Sequence, residues 1–365
     1  MRFPEFSGEW TKDCLNEFLE VQPARNTQGI YSKDDVLSVS GDYGVVNQIQ
    51  LLGRSFAGKD VSNYHIVRTN DIVYTKSPLK EFPYGIVKTN QGTAGIVSTL
   101  YAVYSAKSNT DPKFVEYYFS SKERTNKYFK PIVRIGAKHD MKIGNEEVLR
   151  NIVVFPSKQE QNKIQEFLRI IDERIATQSK IIEEQETLLK SLADKLISAQ
   201  SANVAICGCV DAKASTMKEG ELESHGAFPV FGASGLCGYS NEALEESDSI
   251  LVTKDGSGVG TCQYATGAHS FLGTLCSLTA KEGVYLPYVY YALLNFNFAS
   301  FKTGLAIPHI YFKDYGKAVI YCPSYDEQVR IASGLEKIEA KIKSDKELLK
   351  QYQLQKEYLL SRMFI

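Results

Sequence analysis

The sequence is short of the residues from which metal and redox centres are made. Five histidines and seven cysteines are spread over 365 residues. The cysteines (Cys14, Cys207, Cys209, Cys237, Cys262, Cys276 and Cys322) form an odd set with no CxxC pair. Neither a disulfide framework nor a zinc site is expected, and no metal is expected at Cys207 and Cys209, which read as buried or linker residues. No run of eighteen apolar residues occurs, so no membrane span is expected. The amino terminus, MRFPEFSGEW, lacks the basic start and apolar run of a signal peptide. A reducing cytoplasm fits these absences. No convergent nucleophile, base and orienting group stands out, so no catalysis by this chain is expected.

Apolar residues make up 43 % and charged residues 23 % of the chain, the balance of a folded soluble protein. Its length suits two or more domains. The net charge of −1 does not announce a nucleic-acid binder. By segment, residues 1–156 carry 20 basic and 17 acidic side chains, whereas residues 201–325 carry 7 and 11. Any DNA contact must therefore come from local basic loops.

Two long heptad segments dominate what is present. The first has Ile164, Leu168, Ile171, Ile175, Gln178, Ile182, Gln185, Leu189, Leu192 and Leu196 spaced alternately four and three apart. The second has Ile331, Leu335, Ile338, Ile342, Asp345, Leu349, Tyr352, Lys356, Leu359 and Met363, each 167 residues after its counterpart. Such spacing keeps one seam facing a partner helix. A polar residue, Gln178 or Asp345, falls at the same place in both seams and is expected to fix register. A helix of roughly 40 residues spans about 60 Å, longer than one domain needs. It reads as a spacer or assembly element.

The starts of these helices repeat as well. FPSKQEQNKI (155–164) answers CPSYDEQVRI (322–331). In each, proline ends a strand-like run, Ser157 or Ser324 is placed to cap the first turn, and Glu160 or Glu327 stands at capping-box spacing. The repeat extends backwards. NDIVYTKS (70–77) parallels DSILVTKDGS (248–257), FVEYYF (114–119) parallels YVYYAL (288–293), and RIGAKHDMKIG (134–144) answers KTGLAIPHIYF (302–312). The chain reads as a duplicated α+β domain, each copy followed by a long helix. The expected segments are 1–156, 157–200, 201–325 and 326–365. If the helices pack antiparallel, the two similar domains suit a bipartite linear ligand, for which DNA is the obvious candidate.

With these features in hand, the chain resembles a specificity subunit of a type I restriction-modification enzyme over essentially its full length. The resemblance rests on RFPEFSGEW, on PSKQEQNKIQEFLRIIDERI and PSYDEQVRIASGLEKIEAKI, and on FPVFGASGLCGY at 228–239. It implies two target recognition domains reading a bipartite target in double-stranded DNA, joined by two helices that form an antiparallel coiled coil. It also implies two methyltransferase (modification) subunits as partners, with restriction subunits in the full complex. S-adenosylmethionine, ATP and Mg would be bound by those partners and not by this chain. Consistent with that division, there is no Asn-Pro-Pro-Tyr/Phe motif for a flipped adenine and no GxxxxGK[ST] loop. A coiled-coil scaffold without specific DNA recognition is the alternative.

Candidate DNA-facing residues follow from the loops. In DSILVTKDGSGVG, Lys254 and Ser257 sit in a glycine-rich turn that suits phosphate contact; the helix that a methyl-donor pocket needs does not follow. Its partner DIVYTKSPLKE shares the strand and the Thr-Lys pair and supplies Lys76 and Lys80, so the glycines read as the variable part. Ser40, Asp42 and Tyr43, and Ala233, Ser234 and Tyr239, lie in corresponding early loops. Arg134, Lys138, His139 and Lys142 form the densest basic patch of the first half, with Lys302 and His309 as counterparts in the second.

Overall fold

A computed structural model describes residues 1–79, 81–135, 141–304 and 307–364. The fold is α+β, with two sheet domains and two long helices. By contacts the chain divides into two compact units, Met1–Thr177 with Leu349–Ile365, and Gln178–Leu348.

In the first unit, alternating sequences form a four-stranded antiparallel sheet in the order Leu19–Val21, Tyr101–Ala106, Ile72–Thr75, Val87–Thr89. The two-residue period of a strand sends Ile72 and Tyr74 to one face and Val73 to the other. Ile72, Tyr74 and Tyr104 meet an aromatic helix, Pro112–Tyr118, and the following helix Lys122–Phe129. Tyr74 stacks on Phe129 with ring centroids 4.5 Å apart. Val73 and Val103 pack under a hairpin, Leu37–Ser40 with Gly44–Asn47. The result is three layers: hairpin, sheet, helices.

The second unit repeats this plan. Its sheet runs Val210–Ala214, Leu275–Ala280, Ser249–Thr253, Cys262–Ala265, again antiparallel. Ile250 and Val252 face the aromatic helix Leu286–Leu294, whereas Leu251 packs with Phe231 of the hairpin Phe228–Gly232/Gly235–Ser240. A short antiparallel pair closes each domain just before its long helix: Thr11–Cys14 with Ile152–Phe155, and Val204–Ala205 with Val319–Ile320.

The long helices are Lys158–Ala193 and Tyr325–Arg362. Within the first unit, Ile164, Leu168 and Ile171 share a core with Leu359 and Met363, and Lys356 pairs with Asp172 at 2.5 Å. Within the second unit, Ile331 and Leu335 pack with Ala193 and Ile197, while Gln185 donates to Asp345 at 2.9 Å. Within each unit the two long helices pack antiparallel along these seam positions. Ile182 and Ile342 are buried; Ile175, Leu189, Leu192, Ile338 and Leu349 are half-buried. Asp345 is buried, and hydrogen bonds from Lys341 and Gln185 hold its carboxyl below the usual carboxylate range. Leu196 departs from the expected seam. Asp194–Ser198 is a π-turn closed by Ala199 N–H to the Asp194 carbonyl, and the wider turn brings Ile197 inward (2 % exposed) and leaves Leu196 at 36 %.

The helix starts are also built differently from the expected capping box. Ser157 Oγ accepts from Glu160 N–H at 3.4 Å, but neither glutamate turns back to its cap. Glu160 is 1 % exposed and takes a bidentate contact from Arg2 (2.7 Å each) and one from Trp10. Glu327 pairs with Arg330 one turn on. A two-point guanidinium contact offers a buried carboxylate more than one backbone N–H does.

Candidate nucleic-acid interface

In the second half, the strand Ser249–Thr253 ends in a tight turn. Gly260 N–H donates to the Thr253 carbonyl, and Thr253 N–H donates to the Thr261 carbonyl. Gly256 and Gly260 have φ of +95° and +91°, backbone that side chains with a Cβ rarely adopt. At Gly260 a Cβ would also lie 2.8 Å from Phe298, whereas the space around Gly256 is open. The first half has an equivalent of Gly260. Gly85 has φ +83°, and a Cβ there would lie 2.0 Å from the Thr75 carbonyl oxygen. One glycine thus belongs to the shared frame, which corrects the expectation that all of them are variable. Gly256 and Gly258 remain particular to the second half.

The rest of the turn is fastened to the Thr303–His309 segment. Gly256 N–H donates to Pro308, Ile310 N–H donates to the Lys254 carbonyl, and Asp255 and Thr303 both bridge to His309. This brings Lys254, Ser257, Lys302 and His309 to one surface. Tyr311, 48 % exposed, lies edge-on to His309 at 5.2 Å with the Lys313 ammonium over its ring at 5.1 Å. Tyr311 and Lys313 are not among the residues expected from the sequence; the only signal there is a lysine two places after a tyrosine in PHIYFK. The hairpin tip joins the same end of the sheet: Gln263 Nε2 donates to the carbonyls of Gly232 and Ala233, next to exposed Ala233 and Ser234. Tyr239 does not belong to that tip. It lies within the strand Gly235–Ser240, opposite Pro229 and paired through its backbone with Glu223, because the strand continues past the glycines that suggested a loop.

In the first half, Lys76 N–H donates to Leu100, as Lys254 does to Thr274. The Lys76 ammonium donates to Asn145 Oδ1 at 2.6 Å, and burial lowers its pKa. Arg134 and Lys142 stand directly opposite each other on the paired strands Arg134–Ile135 and Met141–Lys142, both exposed. Asn145 follows that hairpin closely and so links it to Lys76. Lys80, Lys138 and His139 lie outside the described residues. Ser40 Oγ accepts the N–H groups of Asp42 and Tyr43 at 3.2 Å, shaping a hairpin tip on which Tyr43 is 69 % exposed. Among the described residues, a contact joins Lys76 to Asn145, just after these paired strands, and none joins Ser40, Asp42 and Tyr43 to them.

Among the described residues, no group of three His, Cys, Asp or Glu is placed to hold a metal ion, and no helix is long and apolar enough to cross a membrane. Cys207 is exposed and Cys209 buried, its thiol pushed up to about 12 by desolvation.

Comparison with known proteins agrees with this architecture. Residues 206–353 match the family described as "Type I restriction modification DNA specificity domain". The S subunit of a type I restriction-modification system from M. genitalium matches with a TM-score of 0.65 at 18 % identity, covering 100 % of this chain and 99 % of that one. A chain from a structure describing complex assembly and conformational transition of the type I R-M system matches with a TM-score of 0.59 at 13 % identity, covering 98 % of each. No curated protein matches the sequence. Residues 206–353 are thus similar to the type I restriction modification DNA specificity domain, and the whole chain has the fold of that S subunit.

Proposed function

We propose that this chain is the DNA-recognition subunit of a type I restriction-modification system. One observation carries the reading. The four-stranded sheet that lies inside the family match is repeated strand for strand in the first half, again with a hairpin on one face and an aromatic helix on the other. A chain with two copies of a DNA-reading domain on a helix pair suits a target in two parts. In this reading residues 1–156 and 201–325 are the target recognition domains, and residues 157–200 and 326–365 form the spacer. Lys254, Ser257, Lys302 and His309 face DNA in one half; Lys76, Arg134 and Lys142 do so in the other, with the hairpin tips at Ser40–Tyr43 and Ala233–Ser234 beside a groove. Phosphate contacts position the chain, and base reading falls to side chains at the same surfaces.

Specificity subunits of this kind are generally non-catalytic, and the chain would recruit two modification subunits and, in the full complex, restriction subunits. S-adenosylmethionine, ATP and Mg would belong to those partners, and the complex would work in the cytoplasm. Co-purification with the modification subunit, followed by selection from a library of duplexes, tests the proposal. The expected product is a complex that selects two short motifs at one spacing. Failure to recruit a methyltransferase subunit, or binding without motif selection, would overturn it.

A further inference from the structure

Each domain is fastened to its long helix by the same pair of polar contacts. The first lies at the start of the long helix. Gln161, 0 % exposed, donates from Nε2 to the carbonyls of Pro156 (2.9 Å) and Asn109 (3.1 Å) and accepts at Oε1 the N–H of Asp111 (2.8 Å). Gln328, 2 % exposed, donates to the Pro323 carbonyl (2.9 Å) and accepts the N–H of Tyr285 (2.9 Å). Asp111 and Tyr285 each immediately precede their domain's aromatic helix. The second contact lies further along. Tyr117 Oη donates to Asp172 at 2.8 Å, and Tyr291 Oη donates to Glu339 at 2.6 Å.

The spacing is the same in both halves. From Gln161 to Asp172, and from Gln328 to Glu339, is 11 residues on the long helix. From Asp111 to Tyr117, and from Tyr285 to Tyr291, is 6 residues on the aromatic helix side. Eleven residues make close to three full turns, so both attachment points lie on one face, about 16 Å apart. One directional bond leaves a pivot, whereas two at that separation fix an angle. An apolar side chain of the same size would fill the space at Gln161 without fixing a direction, because dispersion contacts are not directional and hydrogen bonds are.

We propose that Gln161 with Tyr117, and Gln328 with Tyr291, are positioning residues that set the angle at which each domain is held on its helix, and thereby the gap between target parts that the chain accepts. This rests on the reading of the chain as a DNA-recognition subunit. The test uses the complex with modification subunits and a series of duplexes holding both motifs at gaps one base pair shorter, equal and one longer. The double variant Gln328→Met/Tyr291→Phe is expected to lose tenfold or more of its preference for the right gap, with both motifs unchanged. Tyr291→Phe alone, which removes one hydroxyl and keeps the ring, is expected to lose about threefold and carries the test if the double variant does not fold. A folded variant with a lower melting temperature but unaltered gap preference would overturn the proposal. A wild-type complex that selects no duplex would overturn the DNA-recognition reading instead. In that event small-angle scattering of the isolated chain decides the positioning role: the double variant should broaden the distance distribution, and an unchanged distribution would refute it.

Discussion

Glu160 and Glu327 occupy equivalent places in the two Glu-Gln pairs and have different surroundings. Glu160 is buried against Arg2 and Trp10, while Glu327 sits on the surface beside Arg330. Their neighbours Gln161 and Gln328 have matching surroundings, each joining a proline carbonyl to the N–H that opens the aromatic helix. The loops divide in the same way. The Thr-Lys backbone and one positive-φ glycine recur in both halves, but the Lys76 ammonium is tied to Asn145, whereas Lys254 is held through its backbone. In both comparisons the contacts that hold a domain to its frame are kept, and the side chains beside them differ in what they touch.

The strongest test of this equivalence lies in the seams. Leu168 and Leu335 are 0 % and 1 % exposed at matching positions. Leu168→Ala and Leu335→Ala should each cost about 2–5 kcal/mol in denaturant unfolding. A near-zero cost for one of them would break the equivalence. The next effect separates the two glutamates. Glu160→Gln should lower the thermal midpoint by several degrees, because it breaks a bidentate contact at a buried carboxylate. Glu327→Gln, in a surface pair, should change it by no more than about 1 °C. Equal shifts would show that the Arg2 contact contributes nothing particular. The smallest effect concerns the loops. In the assembled complex, Lys254→Ala should reduce the salt slope of DNA binding by about 0.9, the share of one phosphate contact. Lys76→Ala should reduce it less, since Asn145 already engages that ammonium; the reverse order would reassign the phosphate-facing lysine.

Much of the frame was legible because it is periodic. Ile164, Leu168 and Ile171 declare a helix seam at 3.5-residue spacing, and Ile72-Val73-Tyr74 declares a strand buried on both faces by its unbroken apolar run. Duplication made each reading checkable against its copy. Local rules failed where a neighbour distant in sequence decided the outcome. The π-turn at Asp194–Ser198 turned Leu196 outward and Ile197 inward, and no breaker residue announces that turn. Glycines around Tyr239 suggested a loop, but pairing with Pro229 keeps that residue in a strand.

The sequence by itself determined that this protein has two similar α+β halves, each followed by a long helix, because side-chain periodicity and internal repetition are local properties of the chain. Tertiary structure alone decided which residue of each Glu-Gln pair is an attachment point, which lysine is engaged, and that Lys254 shares a surface with His309. Glutamate and glutamine suit the first turn of a helix equally well. Only the donors and acceptors that folding brings from 43 to 52 residues away distinguish them.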